Sequence, residues 1–116
     1  MIRPARHDIL IPQRATFRQR LRLKADDQAL DATGYELVAQ VWDRRRITKY
    51  ADLTVQWVDQ ATGLFELVLQ YPETTTVVKD GVWDLLVIEP GGDRYYWLEG
   101  AAYLDVGLSA PVLLNG

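Results

Sequence analysis

The sequence predicts an all-β protein, an antiparallel two-sheet sandwich of about seven strands. Three observations predict it. Apolar side chains recur at a spacing of two along most of the chain, the repeat of a strand with one covered face. Turn residues interrupt these runs at short intervals. Only residues 73–80, preceded by Pro72 and followed by Gly81, suit a short helical turn. A chain of 116 residues has room for one domain, and an apolar fraction of 48% with 25% charged residues is that of a globular protein with a packed core.

Residues 1–13 read as an extended amino-terminal arm, 14–106 as the sandwich and 107–116 as an extended tail. From Thr16 to Lys24, Phe17, Leu21 and Leu23 alternate with Arg18, Arg20, Arg22 and Lys24, so one face is wet. Asp26, Asp27 and Gln28 reverse the chain, and Thr33-Gly34 turns it into Tyr35, Leu37, Ala39 and Val41, which Arg44, Arg45 and Arg46 close. Leu53–Val58 and Leu64–Tyr71 form a hairpin around a loop ending in Gly63. Val82–Glu89 is apolar on both parities except for Asp84, as in a central strand covered on both faces, and Pro90-Gly91-Gly92-Asp93 marks the last hairpin. Tyr95–Val106 is the final strand, with a bulge or bend expected at Gly100.

Lys79-Asp80-Gly81-Val82-Trp83 resembles the corner at which immunoglobulin-like sandwiches enter their sixth strand, with tryptophan in the place of tyrosine. An indole N–H can donate the corner hydrogen bond, with a reach different from that of a phenol. This gives the predicted sandwich an immunoglobulin-like character.

An ordered set of landmarks extends the reading. It comprises Asp8-Ile9-Leu10-Ile11-Pro12-Gln13, Ala15-Thr16-Phe17, Leu30-Asp31-Ala32-Thr33-Gly34-Tyr35, Thr62-Gly63, Gly81-Val82-Trp83-Asp84-Leu85 and Leu98-Glu99-Gly100. Over roughly residues 8–106 this succession resembles the amino-terminal β-sandwich domain of baseplate upper proteins and related small virion proteins of tailed bacteriophages. The resemblance implies a structural or adaptor role in the virion, in the tail or baseplate region, with no catalytic residues to carry over. Two positions depart from the pattern: Arg14 stands where the family often has glycine, and Trp83 where it has tyrosine. If that glycine serves a positive-φ bulge, Arg14 is strained or the bulge is absent.

Charge and composition exclude several classes. Residues 1–24 carry +6 and residues 25–116 carry −9. The acidic body repels the phosphates that the basic leader attracts, so the stripe Arg18, Arg20, Arg22 and Lys24 is expected on an acidic neighbour or an acidic partner subunit rather than on nucleic acid. The absence of cysteine excludes disulfides, thiol catalysis and cysteine-ligated metals. No apolar run approaches a spanning helix, and no signal-peptide block follows the first arginines, so neither a membrane nor processing is expected. His7 is the only histidine and Ser109 the only serine, which leaves no fixed nucleophile and base. Asp26, Asp27 and Asp31 lack the spacing of a calcium loop, and no glycine loop suits a phosphate. No enzymatic activity, cofactor, metal or small-molecule substrate is expected.

Aromatic placement remains. With Tyr96, Leu98, Ala102, Leu104 and Val106 pointing inward, Tyr95, Trp97 and Tyr103 point outward, and Trp42 joins them from the strand of Tyr35. Contiguous exposed rings of this kind mark association surfaces. Ile9, Leu10 and Ile11 in the arm and Leu113 and Leu114 in the tail add apolar anchors for a neighbour. The expectation is a virion component that binds other copies of itself and other virion proteins. A capsid decoration protein is a variant of that reading, and a receptor or carbohydrate-binding module is the alternative, since tyrosine and tryptophan also stack on sugar rings.

Overall fold

The computed structural model describes residues 4–107. They form an all-β structure of ten strands: β1 (Ala5–Arg6), β2 (Ile9–Pro12), β3 (Phe17–Arg22), β4 (Lys24–Ala25), β5 (Gln28–Ala29), β6 (Glu36–Asp43), β7 (Lys49–Asp59), β8 (Leu64–Leu69), β9 (Gly81–Ile88) and β10 (Arg94–Asp105). The order through the main sheet is β1-β10-β9-β6-β7-β8-β3, with β2 also on β10, and β4-β5 is a separate hairpin. Asp26 and Asp27 both take positive φ (52° and 63°) in its two-residue turn, as the tight hairpin geometry requires.

One long strand curls the sheet. Ala39–Val41 on β6 face Ala51–Leu53 on β7, whereas Thr54–Trp57 of the same strand face Phe65–Val68 on β8. β7 thus hands the ladder from one layer to the other, and the apolar residues meet between the layers. Phe65, Leu67 and Leu69 from β8 pack there with Ala39, Val41, Leu53, Trp83, Leu85, Val87 and Ala102. At Gly81 the β6 and β9 backbones approach so closely that a Cβ would lie 2.2 Å from the Trp42 carbonyl oxygen. The helical turn expected within 73–80 is a 3-10 turn at Glu73–Thr76.

The arm departs from the expected plan. β1 and β2 pair with β10 in parallel, so the sheet is mixed rather than antiparallel throughout. Ile9 and Ile11 are 2% and 0% exposed and belong to the core, not to an anchor for a neighbour. The reason is apolar alternation at Ile9 and Ile11 beside an unpaired edge of β10, which the arm satisfies from its own chain. Between β1 and β2 the arm crosses Gly100, where a Cβ would lie 2.2 Å from the His7 carbonyl oxygen. Gly100 therefore makes a close approach rather than the expected bulge, which lies instead between Tyr96 and Leu98. Trp83 Nε1–H donates to the same His7 carbonyl at 2.7 Å, and the Ala101 N–H donates to Asp8 Oδ1 at 2.8 Å. The indole expected at a corner ties down the arm.

Candidate functional site

The bulge at Trp97 resets the parity of β10. Tyr96 lies opposite Leu86 and is 52% exposed, Tyr95 lies opposite the buried Val87, and Trp97 packs against the core. The expectation that Tyr95 and Trp97 point outward and Tyr96 inward is thereby inverted. Beyond the bulge Ala102 is buried and Tyr103 is 41% exposed, as the alternation predicts. Trp42 keeps its outward parity on β6: its Nε1–H donates to Gln40 Oε1 on the same face at 3.0 Å.

The outer face of β6, β9, β10 and β2 thus carries Val38 and Trp42, then Val82, Leu86 and Ile88, then Tyr96 and Tyr103, and finally Leu10, which is paired in register with Tyr103. Val38, Tyr96, Tyr103 and Leu10 are exposed, and the β9 side chains are half-buried. The expectation that β9 is covered on both faces holds for its inner face alone. Val38, Leu86, Ile88 and Tyr96 were not among the expected interface residues. The apolar outer parity of Val82–Ile88 was the available signal for two of them, whereas three successive rings at 95–97 give no parity of their own.

A polar row crosses this apolar ground. Asp52, Gln40, Asp84, Glu99 and Arg6 stand in register on five adjacent strands. Gln40 Nε2–H donates to Asp52 Oδ1 at 3.0 Å. Burial raises the Asp84 carboxyl above its ordinary value, Arg46 works against that, and the neighbouring Glu99 adds to it. No salt bridge reaches Asp84 among the described residues. A depression of about 300 Å³ lies at this point, lined by Gln40, Trp42, Arg46, Val82, Trp83, Asp84 and Tyr96. It combines flat rings, a carboxylate, a guanidinium and an amide on a surface that admits a partner side chain.

The other expected site residues divide. Arg18 and Arg20 of the basic stripe lie 3.1 and 3.3 Å from the carboxylate of Glu66 on β8, which is the acidic neighbour that the sequence reading allowed for. The Gln56 amide, followed by the Arg20 and Arg18 groups, holds the Glu66 carboxyl below its usual range, with burial opposing. Arg22 and Lys24 are exposed and line a separate hollow with Trp97. Leu113 and Leu114 lie outside the described residues. Asp31 is a turn residue, accepting from Thr33 N–H and Oγ1–H at 3.1 and 2.7 Å.

By sequence the chain matches no family model and no curated protein.

Proposed function

We propose that this chain is a non-enzymatic structural or adaptor protein of a tailed-bacteriophage virion, from the tail or baseplate region, which assembles with copies of itself and other virion proteins through the outer face of β6, β9 and β10. The observation that carries the proposal is the apolar outer face of Val38, Leu86, Ile88 and Tyr96 on one side of the polar row and Trp42, Tyr103 and Leu10 on the other. Surfaces of this composition with a few polar groups inside them are recognition surfaces. The ordered landmarks of the sequence supply the virion context. The strand order supports an immunoglobulin-like reading of the fold, with the arm beside the last strand, β10 beside β9 beside β6, and β8 paired with β3 across the core.

One observation favours a second reading, a carbohydrate-binding module: the depression at Asp84 sets Trp42 and Tyr96 beside hydrogen-bonding groups. Sedimentation velocity of the whole chain, with and without Trp42→Ser and Tyr96→Ser together, separates the two. Assembly expects a concentration-dependent oligomer that the double variant reduces to monomer, and the chain's peptides at fixed stoichiometry in purified particles. A wild-type monomer retained on a glycan array, with retention lost in the double variant, supports the second reading and overturns the first.

A further inference from the structure

We propose that the hollow beside Trp97 receives residues 108–116 of a second copy of this chain, so that copies are linked by exchanged carboxy-terminal segments. The proposal rests on the reading that copies associate and adds a contact on the opposite side of the sheet from the outer face.

The curled sheet does not close. Among the described residues β1 pairs only with β10, and β3 only with β8, so each has an edge without a neighbour there. A hollow of about 580 Å³ lies between these edges, lined by Ala5, Leu23, Trp97 and Leu98, with Arg22, Lys24, Ala25 and Asp26 at its rim. Its volume falls within the roughly 300–1,000 Å³ of ordinary ligand sites. A second hollow of about 460 Å³, between β2 and the start of β3, continues the same seam. Free strand edges above an apolar floor accept an extended peptide, whose backbone pairs with the edge and whose alternate side chains fill the pockets.

The chain itself supplies such a peptide. Residues 108–116, Leu-Ser-Ala-Pro-Val-Leu-Leu-Asn-Gly, contain no charged side chain and four large aliphatic ones. Pro111 is compatible with an added edge strand, since only one side of such a strand donates. Reach decides which copy provides it. Gly107 follows β10, and from there back to Leu98 is about 30 Å at the rise of a strand. Leu113 lies six residues beyond Gly107 and extends at most about 22 Å from it. Leu114, the last aliphatic residue, extends at most about 25 Å, so the aliphatic side chains of the same chain fall short of Leu98 and those that fill the hollow come from a neighbour.

The chain has no cysteine, so single thiols report the contact cleanly. Full-length Leu113→Cys protein is mixed, under oxidation with diamide, with differently tagged Ala25→Cys protein, and separately with Val38→Cys protein as an outer-face control. Lys24→Cys serves as a second rim position, and both rim residues are exposed, so folding is retained. The expected result is an interchain disulfide to either rim position at a yield about tenfold above the control, because docking raises the local thiol concentration. Equal yields at the rim and at Val38 overturn the proposal, as does a double Ala25→Cys, Leu113→Cys protein that closes within one chain. If the outer-face double variant leaves association unchanged while this cross-link forms, the outer-face reading fails alone. If outer-face association is intact and the cross-link stays at control yield, the exchanged segment fails alone.

Discussion

The two faces of β9 differ in outcome although they differ little in composition. Trp83, Leu85 and Val87 on one parity are at most 2% exposed, while Val82, Leu86 and Ile88 on the other are half-buried around Asp84. The inner face is closed by β8 and by Ile9 and Ile11 from the arm; among the described residues the outer face has only its strand neighbours. Apolar residues on a strand therefore state a demand for cover, and the topology decides whether the same chain supplies it. The arm is the instructive case, because it meets that demand at the β10 edge and in the core.

The largest effects belong to the closed side. Phe65→Ala, at a fully buried position, is expected to lower unfolding stability by about 3–5 kcal/mol in urea titration. Trp97→Ala is expected to fall in the same direction by a smaller amount, since its ring packs on the core rather than in the outer face. A Trp97→Ala protein of unchanged stability would break the parity assigned to β10.

Next comes the arm. Gly100→Ala places a methyl group against the His7 carbonyl, which is itself fixed by Trp83, so the strand must lift. Loss of the burial of Ile9 and Ile11 costs about 1.5–3 kcal/mol for each side chain. Hydrogen exchange should show protection lost at residues 5–12 before the rest of the sheet, and uniform loss would mean that the arm is inseparable from the core.

Charge separates the two sides through pH. Glu66 is depressed in the folded state, so its stabilisation is complete above the carboxylate value of the unfolded chain and disappears as pH falls through the lower folded value. Asp84 is raised, so the protein gains as that group protonates and loses stability as pH rises through its folded value. Glu66→Gln should flatten the acid limb of a stability–pH curve. Asp84→Asn should stabilise at neutral pH and do nothing in acid, and a destabilised Asp84→Asn protein would show that the carboxylate is already paired.

The smallest effect is local. Arg14 has φ of 65° in the turn between β2 and β3, not in a bulge, and its side chain bears the strain that its departure from glycine implied. Arg14→Gly relieves a left-handed residue at the expense of a freer unfolded chain, for a net gain of a few tenths to about 1 kcal/mol in melting experiments.

How much of this was legible follows from the range of the interactions. The hairpin around Gly63, the turn at Asp26-Asp27 and the 3-10 turn after Pro72 are set by residues close in sequence, and the sequence places them. Alternation also placed Phe17, Leu21 and Leu23 on one face, and Trp42 and Tyr103 on the outside. The parallel docking of the arm depends on His7, Trp83 and Gly100, which are separated by most of the chain, and no periodicity links them. At Tyr95-Tyr96-Trp97 every residue is compatible with either face, so one bulge inverts all three.

The most direct test compares neighbours on one strand. Leu85→Ala and Leu86→Ala delete the same atoms from opposite faces of β9, and each protein is measured by urea unfolding and by sedimentation velocity. An association surface on the outer face predicts that Leu85→Ala loses about 2–5 kcal/mol, while Leu86→Ala loses about 1 kcal/mol or less and weakens self-association. Equal losses of stability with association unchanged in Leu86→Ala would contradict it.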